Sequence, residues 1–546
     1  MKKSSRIFLA VVIGTVLTAL SYYIVLPPIS IFSTEFWIYL IFVLAFYGVP
    51  LGAVSGFSTN VKGSSASPAG KLRVNKVFLV LAAIPVAVLV LGHIISSTFF
   101  NALQYASVIE VEQADFATDM PEADVVTNIS LMDTASATKL GDRELGALSN
   151  VVSQYNLSTD YNQINYRGTP KKVANLEYVD IFRWFNNSAS GVPGYVMVDP
   201  VNNDADYIKF KTPMTYVDSA YFGEDLMRKV RFSYPTKIFS SVNFEVDDNG
   251  DPYFIISCVK PRVGLFGAMD VNEVIIFNPC DGTSEIYPVD NSPSWIDNVY
   301  DGDLACQKYD WYGTLSGGFW NSVIGNRDCK MTTDGYGYIV RGDDVWYYTG
   351  VTSVTSDESN IGFIITNART GEYKYYAVIG AEEYSAMGAA QGEVQQMRYT
   401  ASFPSLINVE GEATYIMVLK DENGLVKLYA LVNVENYSIV ATGDTQTAAK
   451  RAYIQELANR GVIREEELPA PEAKTADITV KTVRLATVAG ETVVYITAED
   501  GIVYRGDLSK DESLILVTEG MTLTVDYSDT SIAKIRSLIR WSEKTE

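Results

Sequence analysis

The stretch VFLVLAAIPVAVLVLGHIISSTFF, residues 77–100, decides the architecture. It is the third of three long apolar runs, after IFLAVVIGTVLTALSYYIV at 7–25 and IFSTEFWIYLIFVLAFYGVPLGAV at 31–54. The remaining four-fifths of the chain holds no comparable run. Each run is long enough to cross about 30 Å of hydrocarbon at about 1.5 Å per residue. Tyrosines aside, the ionisable groups inside them are Glu35, near one end, and His93. The first run has no small-x-small cleavage site and is followed at once by another, which argues against a cleaved signal peptide. Residues 1–104 therefore read as a three-span membrane anchor.

Basic residues set the expected direction. Lys2, Lys3 and Arg6 precede the first span, and Lys62, Lys71, Arg73 and Lys76 fill the segment between the second and third. The turn around Pro27 and Pro28 has no basic residue. The N-terminus and the 56–76 loop are expected in the cytoplasm, and residues from about 105 to 546 outside the plasma membrane. The chain carries 43 Lys and Arg against 65 Asp and Glu; seven of the former and one of the latter precede residue 105, which leaves the rest with a net charge of −28. Such a surface repels nucleic acid and anionic headgroups, so no nucleic-acid partner is expected. Cationic partners or divalent metal fit better, although a solvated acidic surface accounts for the composition equally simply. Cys258, Cys280, Cys306 and Cys329 lie in one 72-residue window. An even count in an exported domain favours two disulfides. Nearest-neighbour pairing, Cys258–Cys280 and Cys306–Cys329, is one of three possibilities. The wide spacing does not suit a zinc site.

Residues 105–443 are rich in Tyr, Val, Ile and Phe, broken by Asn-Gly, Asp-Gly and Gly-Asp turns. This reads as a β-rich α+β domain. Short helices are expected at Arg143–Tyr155 and Ala381–Met387. Three stretches, approximately 244–289, 338–378 and 407–442, repeat one pattern. Each has a strand, a glycine turn, a strand, then a second hairpin turning at an Asn corner. Gly250 to Asn278 is 28 residues, Gly342 to Asn367 is 25, and Gly411 to Asn433 is 22. One hairpin pair cannot bury its apolar face alone, so the units must pack on helices or on each other. The run VIIFNPCDGTSEIY at 274–287 is similar to PepSY-type modules of exported bacterial proteins, and the resemblance covers residues 240–445. It implies a non-catalytic extracytoplasmic module, in some members linked to restraining peptidases, and transfers no site residue. A helix is expected at Thr445–Arg460, capped by Asp444 or Thr445 and ended by Gly461. The polar linker EEELPAPE, residues 465–472, follows within a helix-and-linker segment, 444–473. Residues 474–546 are expected to form a small β-barrel of OB or SH3-like type. Its strands would be 478–486, 492–497, 502–505, 514–517 and 523–527, followed by a short amphipathic terminal helix at Ser531–Trp541.

The single histidine lies in a span, which removes imidazole catalysis and His-ligated zinc from the exterior. His93 itself suits a helix–helix contact better than a proton relay. Paired carboxylates remain, with Asp297, Asp301 and Asp303 as candidates, and Trp295, Trp311, Trp320 and Trp346 as a conceivable sugar-stacking surface. Among 64 exterior acids, chance pairs are numerous, and such aromatics are commonly core. Asp247–Asp251 and Asn202–Asp206 alternate oxygen ligands but lack the sixth Gly and twelfth Glu of an EF-hand; turn chemistry explains both. There is no nucleotide-binding glycine motif, and the 63–70 Gly-Ser-Ala stretch reads as a plain connection. No catalytic, cofactor or metal residue is assigned, and three spans make a poor transporter. The expected function is a non-enzymatic, membrane-anchored binding or scaffold protein of the cell envelope, with the lipid bilayer and an envelope protein or polymer as partners. The alternatives are an accessory or regulatory subunit of a membrane complex and a carboxylate-dependent envelope hydrolase.

Overall fold

Helices α1 (Lys3–Val25), α2 (Thr34–Gly56) and α3 (Lys76–Ile95) follow the three apolar runs. The computed structural model describes residues 3–56, 76–123, 131–354, 356–463, 473–488, 491–508, 511–528 and 533–542. Lys62, Lys71 and Arg73, the 63–70 stretch and the 465–472 linker lie outside them. By length and composition α1 and α2 can each cross a membrane. The third run is not one unbroken helix. It stops at Ile95 and resumes as α4 (Thr98–Ala106) at an angle of 55°, so it adds a third crossing when the bent pair counts as one span. The break has a local cause. Tyr105 Oη donates to the Ser96 carbonyl at 2.7 Å, and Ser96 Oγ accepts from Leu265 N and Phe266 N at 2.8 and 3.0 Å. The α1–α2 packing uses small residues, with Gly14 against the Tyr47 ring, and Gly48 meets Phe78 of α3 in the same way.

The chain divides into two compact bodies, Met1–Leu457 and Ala458–Glu546. Beyond the spans, the first body is a mixed α+β structure. Four antiparallel four-strand meanders stand among its described residues, each with its strands hydrogen-bonded in chain order. Module one comprises Asn162–Tyr166, Thr169–Tyr178, Val192–Asp199 and Asp204–Met214. Module two comprises Ile238–Val246, Pro252–Val263, Gly267–Phe277 and Ser284–Pro288. Module three comprises Gly337–Arg341, Asp344–Ser353, Ser356–Asn367 and Tyr373–Tyr376. Module four comprises Ser405–Val409, Glu412–Lys420, Val426–Asn433 and Val440–Gly443. The last three coincide with the repeated stretches; the first was not foreseen.

A helix precedes each meander, and an acid caps each helix. Asp133 caps Thr134–Gly146, Asp225 caps Leu226–Ser233, Asp301 caps Gly302–Leu315, and Glu382 caps Glu383–Glu393. Each carboxylate accepts an orphan amide of the first turn. This corrects two expected helices. The first begins nine residues before Arg143 because Asp133 starts it, and Tyr155 is already in a strand. The other runs to Glu393 rather than Met387. At the second hairpin of each module a side-chain oxygen takes the backbone amides of the turn. Asp199 accepts from Val201 N and Asn202 N, Asn278 from Cys280 N, Asn367 from Arg369 N and Thr370 N, and Asn433 from Asn436 N, all at 2.7–2.9 Å.

The modules share cores in pairs. Val173, Val196 and Tyr195 of module one pack with Phe244, Ile256 and Phe277 of module two. Tyr348, Phe363 and Ile365 of module three pack with Tyr415, Met417 and Val432 of module four. The opposite faces of modules two and three are covered as well, which explains strands that are apolar almost without alternation. Helix Gln446–Asn459 closes module four, with Tyr453 Oη 2.9 Å from Thr414 Oγ1.

The second body is a five-strand sheet in which every strand has two neighbours, in the closed order Ala473–Val488, Glu491–Ala498, Val503–Asp507, Ala533–Ser542, Thr522–Ser528. Two expectations fail here. Residues 514–517 fall in and just after a 3-10 turn, Glu512–Leu516, which Asp511 caps. The expected terminal helix is instead a strand, because it supplies the second neighbour that both Val503–Asp507 and Thr522–Ser528 otherwise lack.

Candidate functional site

Modules two and three meet over a cleft of about 650 Å³. Its floor is Lys308, projected from the helix Asp301 caps, and Asp270, from the third strand of module two. Lys308 Nζ meets Asp270 Oδ1 at 2.6 Å with both side chains buried, and Arg262 meets the other oxygen at 3.2 Å. The ammonium also sits over the rings of Tyr300 and Tyr373, 4.6 and 5.8 Å from their centroids. Burial lowers the Lys308 pKa, and the adjacent Asp270 carboxylate works against that. Gly371, at φ +74°, lets the module-three corner approach the Tyr300 ring, where a Cβ would lie 2.8 Å from it. Glu110, Glu112 and Glu372 are exposed around the mouth. The floor is an ion pair in an aromatic box, with Arg262 as a second cation on the same carboxylate, and Lys374 lies 4.0 and 3.9 Å from the rim carboxylates of Glu112 and Glu372. Such a balanced cleft suits a polar, hydrogen-bonding group.

Buried carboxylates lie elsewhere. Glu245 accepts from Asp297 N, Asn298 N and Asn298 Nδ2 at 2.8–2.9 Å, and Asp297 Oδ2 accepts from Asn165 N at 2.7 Å. Burial raises both acids, and the neighbouring Glu245 raises Asp297 further, so the pair favours holding a proton. The same segment donates Val299 N and Tyr300 N to the Ala368 carbonyl. This cluster ties modules one, two and three together. Glu383 is also buried. It accepts from Gly350 N at 2.7 Å and Thr333 Oγ1 at 3.0 Å, and burial pushes it up to about 7. Lys172 lies buried 5.2 Å from the Tyr338 ring centroid, with its pKa lowered to about 8 by desolvation.

The sequence-derived candidates do not converge. Asp297 is sealed in the interior, Asp301 is a helix cap whose carboxylate accepts from Leu304 N at 2.7 Å, and Asp303 is exposed two residues on. Its partner Glu245 was missed; an acid inside the apolar strand IFSSVNFEV was the available signal. Trp346 is core in modules three and four, Trp295 lies tilted against Tyr253, Trp311 meets Tyr105 edge-on, and Trp320 stands exposed. The Asp247 carboxylate takes the amides of Asn249 and Asp251, and Asp199 ties down the 199–204 corner, so turn chemistry uses both oxygen-rich loops. His93 Nδ1 lies 2.8 Å from the Leu89 carbonyl, and its ring meets Phe266 of the module-two hairpin.

The four cysteines are free thiols, which overturns the expected disulfides. Phe254 pairs with Phe277, so Cys258 stands four residues, roughly 13 Å, from the sheet end beyond which Cys280 lies. Cys329 Sγ meets the Thr314 carbonyl at 3.5 Å, and Thr314 is eight residues, roughly 12 Å, along the helix from Cys306. A disulfide needs Cα atoms within about 7 Å. No protein-family model matches the sequence, and no curated protein matches it either.

Proposed function

We propose that this is a multi-pass membrane protein whose extracytoplasmic part is a non-enzymatic binding or scaffold module of the cell envelope. The observation that carries the reading is how the first body sits on the span ends. Arg228 Nε and Arg231 Nε donate to the carbonyls of Tyr23 and Leu26 at 3.2 and 2.9 Å, and Ile29 N donates to the Pro235 carbonyl at 2.7 Å. Such seating presents a rigid, acidic platform beside a bilayer. The positive-inside bias supports a cytoplasmic N-terminus and 56–76 loop, with residues 105–546 outside. We read the modules as duplicated, PepSY-like units. The closed five-strand sheet is then a small barrel of OB or SH3-like type.

The hydrolase alternative needs an open carboxylate pair, whereas Glu245 and Asp297 are 1% and 2% exposed and bonded to backbone amides. The accessory-subunit alternative needs small residues free on the spans; Gly14 and Gly48 are occupied, but Ala83 and Ala87 of α3 are exposed one turn apart, so the crosslinking below decides between the two readings. The test is in-cell crosslinking of the tagged full-length protein, with mass spectrometry of what co-purifies and reporter fusions at residues 65 and 546. A reproducible envelope protein or polymer, with only the 546 fusion outside, supports the proposal. A cytoplasmic 546 fusion sinks it.

A further inference from the structure

Two aromatic patches stand beside the span ends, and neither is used by the core. In the first, Phe182 and Phe185 of helix Ile181–Asn187 are 71% and 77% exposed, and Phe222 and Phe232 are exposed as well. Trp184 organises them, with ring centroids 6.3 Å from Phe185 and 5.6 Å from Phe222. This patch adjoins α1 directly. The Phe232 ring lies 5.9 Å from Tyr22, and the Arg228 that holds Tyr23 also donates to the Phe222 carbonyl at 2.6 Å. In the second patch, Phe99, Phe100 and Leu103 of α4 face outward beside Trp320, Val323 and Ile324. Phe99 packs edge-on against Phe319 at 5.0 Å and Trp320 at 5.9 Å.

We propose that both patches are immersed in the outer leaflet, so that the bilayer interface is a direct ligand of the extramembrane fold. The inference rests on the reading of α1–α3 as membrane spans. Single exposed apolar residues are ordinary, but contiguous large aromatics mark an interaction surface. Both patches are continuous with the spans, one through Tyr22 and Tyr23 and the other through α4, which follows α3 after a two-residue break. Phe and Trp at that level match the chemistry of the membrane–water interface. The extramembrane chain is strongly acidic, so attraction to anionic headgroups does not hold it there. Apolar insertion does, and zwitterionic lipid suffices.

The test uses the full-length protein, one copy per nanodisc, in phosphatidylcholine and in the same lipid brominated on its acyl chains. Tryptophan emission is compared among the wild type, Trp37→Phe and Trp320→Phe; the differences isolate Trp37, inside α2, and Trp320. The proposal expects both components to fall about two-fold or more in brominated lipid. A Phe185→Trp substitution in the Trp320→Phe background should add a quenched component from the first patch. Quenching of Trp37 without Trp320 or the residue-185 tryptophan overturns the proposal and leaves the spans standing. In that case blue-shifted emission assigns the patches to a protein partner and red-shifted emission to water. Quenching of neither Trp37 nor Trp320 overturns the span reading itself.

Discussion

Glu383 sits in a buried hydrogen-bonded pocket with its carboxyl raised to about 7. An unfolded glutamate titrates near about 4.3. Between those values the native state binds more protons than the unfolded chain. The stability this group contributes is therefore full at low pH and is lost as pH rises toward 7, by about 3 kcal/mol. Glu383→Gln keeps an acceptor for Gly350 N and removes the charge. Its thermal midpoint should gain on the wild type steadily from pH 5 to pH 8, and parallel curves would contradict this. Lys308→Met has the opposite sign. It leaves Asp270 buried with only the half-exposed Arg262, at a cost of about 3 kcal/mol in denaturant unfolding, and adding Asp270→Leu should restore more than half. The thiols give a third outcome. Burial pushes Cys258 and Cys306 up to about 12 and Cys280 to about 11. Maleimide at pH 7 should label them only after denaturation, with or without prior reduction. At this scale the sequence was a poor guide. Cysteine count suggested bridges, but whether two thiols meet depends on strand register and helix rise. Asp297 stood out by its carboxylate neighbours in sequence, while the group that matters to it, Glu245, comes from a strand much earlier in the chain, Ile238–Val246.

The corner residues govern the elements. Asn367 takes two backbone amides and donates to Asp344 Oδ2 at 2.9 Å. Asn367→Ala removes three hydrogen bonds at one turn and should cost about 2 kcal/mol, measured as a shift in denaturant midpoint with unchanged slope. The same amide-capture chemistry made modules two to four legible, since Asn with a glycine nearby is a strong local signal. Module one escaped for physical reasons. Its corner uses Asp199, and helix Ile181–Asn187 is inserted between its second and third strands. Its turn glycine, Gly168, has φ +79°, and the interval from it to the corner is 31 residues, extending the 28, 25 and 22 of the others. Helix ends were misjudged where the cap lay outside the apolar pattern, as with Asp133. The final strand was misread because a short segment with spaced Lys and Arg suits a helix until its neighbours are known.

At the scale of the whole molecule, the long apolar helices were readable because hydrocarbon thickness demands long apolar runs, whatever the tertiary context. The seating of the sheeted part on the ends of those helices was not readable, because it depends on Arg231, a residue with no motif around it. Arg231 is 5% exposed, lies 4.0 Å from the Phe239 centroid and donates to the carbonyls of Leu26 and Lys237. Arg231→Ala should raise hydrogen exchange in residues 26–33 and 226–237 without altering exchange in module four; uniform change across the body would contradict a local role. With the disulfides gone, charge asymmetry alone argues for the exterior location. The bend at Ser96 has a mechanical meaning. A helix joined to a domain by a loose tether tilts freely when bilayer thickness changes, but this joint is splinted on both sides, by Tyr105 and by the tip of the module-two hairpin. On the proposed reading of α3 and α4 as one span, its tilt would be levered into the module-two sheet, which also supplies Asp270 to the Lys308 cleft, and membrane thickness would become a load on that sheet.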